Sequence, residues 1–280
     1  SLFGPQRADI NLDSHQQLTQ ALERLGIPVP DSTRNWKLQP LAAQYPDAFE
    51  KHPDVVKAID DGIKGHGVTG FTLNRSNLTN NGNAVAENGL QFGEATGTVA
   101  GVTGTLTLTN TSISGSAGNN VHIRNTSGTL DVMNVTGGSF NDLNDGTGAN
   151  SFLFEMSGTA ITSSATISGA TFSNNSPQRA LEVQTHQSAT ISDFTVSGNT
   201  FDENGIHASF TQDTDSDLEF SMINNTSMLN ANPLQAINVF SSSTSTSGTI
   251  TGTISGNVIG SAGTPGSTQG GGIQVLIQGK

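Results

Sequence analysis

From Gly67 onward, three kinds of short β-type phrase recur in a fixed order, about 30 residues apart, which is the period of a solenoid. One kind reads Gly104-Thr105-Leu106-Thr107-Leu108 and returns as Thr129-Leu130-Asp131-Val132, Ala165-Thr166-Ile167-Ser168, Thr190-Ile191-Ser192, Asp217-Leu218-Glu219-Phe220 and Thr249-Ile250-Thr251. The next ends on an apolar residue: Leu78, Ile113, Phe140, Phe172, Phe201, Met228 and Ile259. The third reads Leu90-Gln91-Phe92, Val121-His122-Ile123, Phe152-Leu153-Phe154, Leu181-Glu182-Val183, Ile206-His207-Ala208, Ile237-Asn238-Val239 and Ile273-Gln274-Val275. Alternation within each phrase is the mark of a strand with one buried face. Three strands per coil, each stacked on its counterpart one coil later, make an all-β fold, a right-handed parallel β-helix of about seven coils. Ile113, Phe140, Phe172, Phe201, Met228 and Ile259 are expected to form one internal column. Asn80, Gly115, Asn174, Asn204 and Asn230 follow it and suit the left-handed backbone of sharp corners.

Composition fits short strands and tight turns. Gly supplies 33 residues, and only 12% of the chain is charged. The formal net charge of -12 repels phosphate backbones, so nucleic acid is not an expected partner. With no cysteine, neither disulfides nor thiolate metal sites are available. No apolar run is long enough to span a bilayer as a helix, so membrane insertion is not expected.

Residues 1–65 differ in character. Ser14 and Gln17 form a capping box, Leu18, Ala21, Leu22 and Leu25 share a helical face, and Gly26 is a stop. A second short helix is expected over residues 53–61. Trp36, Leu38, Leu41, Tyr45 and Phe49 are the apolar cluster between them. The chain therefore divides into a mainly helical cap or arm, residues 1–65, and the β-helix, residues 66–280. A cap suits a solenoid, whose open end otherwise exposes core and unpaired strand edges.

Phrases such as Gly67-Val68-Thr69-Gly70-Phe71-Thr72-Leu73, Asn125-Thr126-Ser127-Gly128-Thr129-Leu130, Val196-Ser197-Gly198-Asn199-Thr200-Phe201 and Gly270-Gly271-Gly272-Ile273-Gln274-Val275 resemble the right-handed β-helix repeats of very long bacterial surface proteins. The broader structural relatives are the pectate-lyase-like superfamily. The resemblance covers residues 66–280 and implies a fold and a cell-surface or extracellular setting. It carries no chemistry.

Candidate chemistry is sparse. Asp60-Asp61 with Gly65-His66-Gly67 is similar to polygalacturonase signatures, but the spacing is too tight and no Arg-x-Lys follows. Arg124 and Arg179 are the basic residues available to a lyase-type mechanism, and salt-bridging or solvation is their expected role. The metal candidates are Asp213, Asp215 and Asp217, alternate carboxylates that suit a hard cation such as Ca²⁺, with Glu219 beyond. Asp142-Leu143-Asn144-Asp145-Gly146 lacks the alternate spacing. His122 and His207 are expected to point outward from equivalent strand positions. Asn74, Asn77, Asn110 and Asn125 head sequons that an Asn/Ser/Thr-rich chain produces by chance. The run Thr105-Leu106-Thr107-Leu108-Thr109 suggests ice binding, but such runs are not expected to recur on one face in every coil.

The function these features favour is an extracellular scaffold or adhesin-like segment. Ile273 to Ile277 reads as a complete core strand followed only by Gln278-Gly279-Lys280. An uncapped end of that kind implies head-to-tail self-association, with filaments, or continuation in a longer chain. The alternatives are a polysaccharide lyase, hydrolase or phage-type depolymerase, with Asp131, Glu155, Glu182 and Asp193 as the outward acids to inspect, and a glycan-binding module.

Overall fold

The computed structural model describes residues 62–81, 87–93, 100–143, 149–229, 234–242, 244, 246–267 and 272–278. The helices expected within residues 1–61 and the Asp60-Asp61 pair lie outside the described residues. Within them, every regular element is a β-strand, and the strands form three parallel sheets of eight, seven and six members. The chain visits the sheets in turn. Ile63–Gly65 begins the first sheet, Val68–Asn74 the second and Asn77–Thr79 the third, and Leu90–Phe92 then pairs back onto Ile63–Gly65. The backbone ladder of each internal strand is satisfied by the coil before and the coil after.

The apolar column of the third sheet forms as its sequence requires. Leu78, Ile113, Phe140, Phe172 and Phe201 are in register, and Met228 bridges to Ile259. Phe140 and Phe172 stack with ring centroids 5.2 Å apart, and Phe172 and Phe201 at 5.0 Å. Burying each such side chain is worth about 1.5–3 kcal/mol, with roughly 0.5–1.5 more for a well-placed ring pair.

Corners are built from left-handed residues. After the second sheet, every coil places one at the same point: Arg75, Asn110, Gly137, Gly169, Gly198, Asn224 and Gly256. After the third sheet come Asn80, Gly115, Asp142, Asn174 and Glu203. Asn80, Gly115 and Asn174 fill the expected role. In the next coil the left-handed residue is Glu203, not Asn204, and Asn230 lies outside the described residues. Asn204 instead turns inward and is fully buried. Its Nδ2 donates to the Phe172 carbonyl at 3.0 Å, while its Oδ1 accepts from Asn175 at 2.8 Å. A longer ladder follows the other corner, in the phrases Gly198-Asn199, Asn224-Asn225 and Gly256-Asn257. Asn225 Oδ1 accepts from the amide nitrogen of Asn199, Asn257 Oδ1 accepts from that of Asn225, and each Nδ2 donates to a strand carbonyl of the preceding coil. Buried corner amides are thereby paired rather than left costly.

The second sheet departs most from expectation. Its strands are longer than the phrases quoted for it: Val102–Thr109, Thr129–Thr136, Ile161–Ser168, Thr190–Ser197, Asp217–Ile223 and Thr249–Ser255. Irregular register between Ile191 and Phe194, and at Gly104/Thr105, breaks the alternation midway. Beyond that break the register runs without interruption. The outward residues Thr72, Thr107, Asn134, Thr166, Thr195, Ser221 and Thr253 align in one row. Asn74, Thr109, Thr136, Ser168, Ser197, Ile223 and Ser255 align in the next. Thr-x-Thr itself occurs in these rows only at Thr107 and Thr109, so it does not recur in every coil, as expected; Thr, Ser and Asn fill the other positions apart from Ile223.

Two substitutions separate packing from backbone strain. Phe172→Ala is expected to lose about 3–5 kcal/mol in chemical unfolding, because both neighbours in the column hold the void open. Gly138→Ala is expected to lower the melting temperature sharply, since a Cβ there would sit 2.0 Å from the Thr111 carbonyl oxygen at φ +81. Gly198→Asn, at φ +63 with open space around it, should be nearly neutral.

Candidate functional site

Ionisable side chains gather on the outer face of the first sheet. One outward row runs through Gln91, His122, Leu153, Glu182, Ser209 and Asn238, and the next through Arg124, Glu155, Gln184 and Thr211. Adjacent strands lie about 4.8 Å apart with about 3.3 Å rise per residue, so Glu155 and Glu182, diagonal neighbours, have backbones about 8 Å apart. Inverting glycosidases hold two carboxyl groups roughly 6.5–9.5 Å apart, so a diagonal pair on one face is the arrangement such chemistry would use.

The surroundings of those carboxylates point the other way. Glu155 Oε1 lies 3.3 Å from Arg124 Nε, and its Oε2 lies 3.6 Å from His122 Nε2. Burial pushes the Glu155 carboxyl up, but contact with His122 and the charge of Arg124, then of His122 and His186, outweigh it and hold it below its ordinary 4.5. A general acid needs the opposite shift. Glu182, only 5% exposed, accepts from Asn150 Nδ2 at 2.7 Å and from the Arg179 guanidinium at 3.5 Å. Arg124 and Arg179 are thus both ion-paired. His186 bridges the end of this face, with Nε2 3.3 Å from Gln184 Oε1 and Nδ1 3.5 Å from Asp213 Oδ2. The arrangement pairs opposite charges on a half-buried face.

The other acids are scattered. Asp131 is exposed on the second sheet. Asp193, on that same sheet, accepts from Thr195 Oγ1 at 3.0 Å and Ser164 Oγ at 3.4 Å. His66 follows the first strand, and Asp142 Oδ1 accepts from Asn174 Nδ2 at 3.1 Å. Asn144, Asp145 and Gly146 lie outside the described residues. Of the sequons, Asn125 is fully buried and bonded through its amide to the Gly101 and Val102 backbones.

Asp213, Asp215 and Asp217 each reach the following coil. Asp213 Oδ1 accepts from Thr244 Oγ1 and, at 2.7 Å, from the Thr214 amide. Asp215 Oδ1 accepts from Thr246 Oγ1 at 2.6 Å and the Ser247 amide at 3.1 Å, and Asp217 Oδ1 from Thr249 Oγ1 at 2.6 Å and the Thr249 amide at 2.9 Å. The Thr244 hydroxyl is the main cause holding Asp213 below its usual 3.8, and the Thr246 hydroxyl with Ser247 does the same for Asp215. Among the described residues, no three His, Asp or Glu side chains stand together as a metal-ligand set.

His207 is a correction. Its strand is in register two residues away from the expected alignment: Leu181 pairs with Ala208, not Ile206, and Val183 with Phe210. His207 therefore occupies the position held by Ala180 one coil earlier, the second residue of its strand. It is fully buried, 5.9 Å from the Phe201 ring, with Nδ1 3.3 Å from Asn204 Nδ2 and Nε2 without a well-aligned partner. His122, by contrast, does sit in the outward row.

No family model, no curated protein and no solved structure matches the chain.

Burial lowers the His207 pKa from 6.5 to about 4, partly offset by the Met228 backbone. Between those values the unfolded chain binds the proton and the folded chain does not, so stability falls as pH falls through that window. The expected total is about 3 kcal/mol, measured by urea unfolding at stepped pH, and His207→Ala should flatten the slope. The Asp213 and Asp215 contributions are present above the ordinary aspartate pKa and are lost only at lower pH.

Proposed function

We propose that the chain is a structural, adhesin-like scaffold segment, extracellular or at a bacterial cell surface, that extends by end-on contact with a further coil. The observation that carries this reading is the strand Ile273–Ile277. It pairs with Ile237–Ser241 on one side, in register through Ile237/Ile273, Val239/Val275 and Ser241/Ile277. Ile237, Val239 and Ser241 are at most 5% exposed, whereas Ile273, Val275 and Ile277 are 45%, 61% and 54% exposed. One more parallel coil would remove this apolar surface from water, at roughly 25 cal/mol per Å², and satisfy a strand edge that is unpaired among the described residues. A neighbouring copy and a continuing chain both supply such a coil.

A polysaccharide-active reading has one observation in its favour, the diagonal Glu155–Glu182 pair. The ion pairs and the depressed Glu155 pKa count against it.

Negative-stain microscopy and light scattering over a concentration series test the scaffold reading. Rods should lengthen with concentration, and Val275→Lys should stop the lengthening while leaving the melting temperature within a few degrees. Single short rods at every concentration would remove self-association through the ends. Rod length that responds to calcium or chelator would bring Asp213, Asp215 and Asp217 forward as a ligand set. Incubation with acidic and neutral polysaccharides should release no reducing ends, and release abolished by Glu155→Gln would favour the enzyme reading instead.

A further inference from the structure

The outer face of the second sheet has a different character from the ion-paired face of the first. The row from Thr72 through Thr107, Asn134, Thr166 and Thr195 to Ser221 and Thr253 contains no charged residue. The neighbouring row, from Asn74 and Thr109 to Ser255, contains none either, and only Ile223 interrupts its polar side chains. Asp193 and Glu219 lie one row to the side, beyond the uninterrupted register. Every residue of both rows is exposed or half-exposed.

Three properties make this array more than a polar surface. Parallel pairing fixes its spacing in two directions, about 4.8 Å from coil to coil and about 6.6 Å between rows. Thr, which holds seven of the fourteen positions, is stiff at χ1, so at those positions hydroxyl and methyl are set before any ligand arrives. The hydroxyls are also largely uncommitted. Within the two rows, the intramolecular side-chain hydrogen bonds are Thr136 to Asn134, at 3.0 Å, and Thr195 to Asp193, at 3.0 Å.

We infer that this face binds ice, with the hydroxyl and amide groups continuing a hydrogen-bonded water lattice and the Thr methyl groups seating between its oxygens. Oxygens of hexagonal ice repeat in two directions at intervals of the same order as the array. The lack of charge matters, because an ion orients water radially around itself and breaks such a lattice. A polysaccharide is the less suited occupant, since no aromatic ring is presented on these two rows for sugar stacking. The inference concerns a lateral face and is independent of how the solenoid ends associate.

The test is thermal hysteresis and ice-crystal shaping by the full chain, with partition into a slowly grown ice hemisphere as a second readout. The chain should shape ice and enter the hemisphere. Thr107→Lys, Thr166→Lys and Thr195→Lys should each reduce hysteresis severalfold, and the triple variant should abolish it, with far-ultraviolet circular dichroism unchanged. Thr171→Lys, on the outer face of the third sheet, should leave it intact. Absence of ice shaping by the unmodified chain would overturn the inference, as would hysteresis indifferent to the three lysines. Binding to insoluble polysaccharide that those lysines abolish, without ice activity, would assign the face to a glycan and overturn it equally.

Discussion

Everything in this solenoid depends on one backbone constraint, the left-handed residue that ends each second-sheet strand. From Arg75 to Gly256 it occurs once per coil at the same point, and it turns the chain sharply enough for the next strand to start in register with its counterpart. L-residues resist that conformation, which is why Gly and Asn fill most of the positions. Once the corner is fixed, parallel pairing repeats the same geometry in each coil. An inward residue then meets its equivalents above and below, so the Phe140–Phe172–Phe201 column and the Asn199–Asn225–Asn257 ladder follow from the same cause. Like stacks on like, whether rings that share apolar surface or amides that donate on one side and accept on the other.

The three outer faces are free of that constraint and have diverged. The first carries arginine, histidine and glutamate in compensating charge pairs on a half-buried face. The second carries small neutral hydroxyl and amide side chains on a straight grid. Interior sameness and exterior variety are therefore two results of one repeat, because the core selects for shape at every coil while the surface selects only where something binds.

The third sheet was the most legible in sequence, since all but one of its strands are three residues long with one apolar residue in the middle, and a single position suffices to align them. The second sheet was not, for a physical reason. The irregularity between Ile191 and Phe194 puts two inward residues at odd separation, so a period-two reading stops at Ser192 and misses Thr195-Val196-Ser197. The same break hid Asn134-Val135-Thr136 behind Thr129–Val132. His207 failed differently. Ile206 looks like the counterpart of Leu181, yet Ala208 holds that position, because the strand starts two residues earlier than the alternating phrase suggests. The aspartates of residues 213–217 were visible as a cluster. Their partners were not, because Thr244, Thr246 and Thr249 lie one coil away, and a sequence shows coil neighbours only after the register is known.

The corner column also makes each coil a unit of gain and loss. A crossover between Gly169 and Gly198, two glycines in the same conformation at the same corner, would remove one coil and rejoin matched backbone to matched backbone. Such an exchange leaves every remaining column continuous, changing only how many members it has. Rod length is then a heritable quantity adjustable one coil at a time, with the fold indifferent to the count.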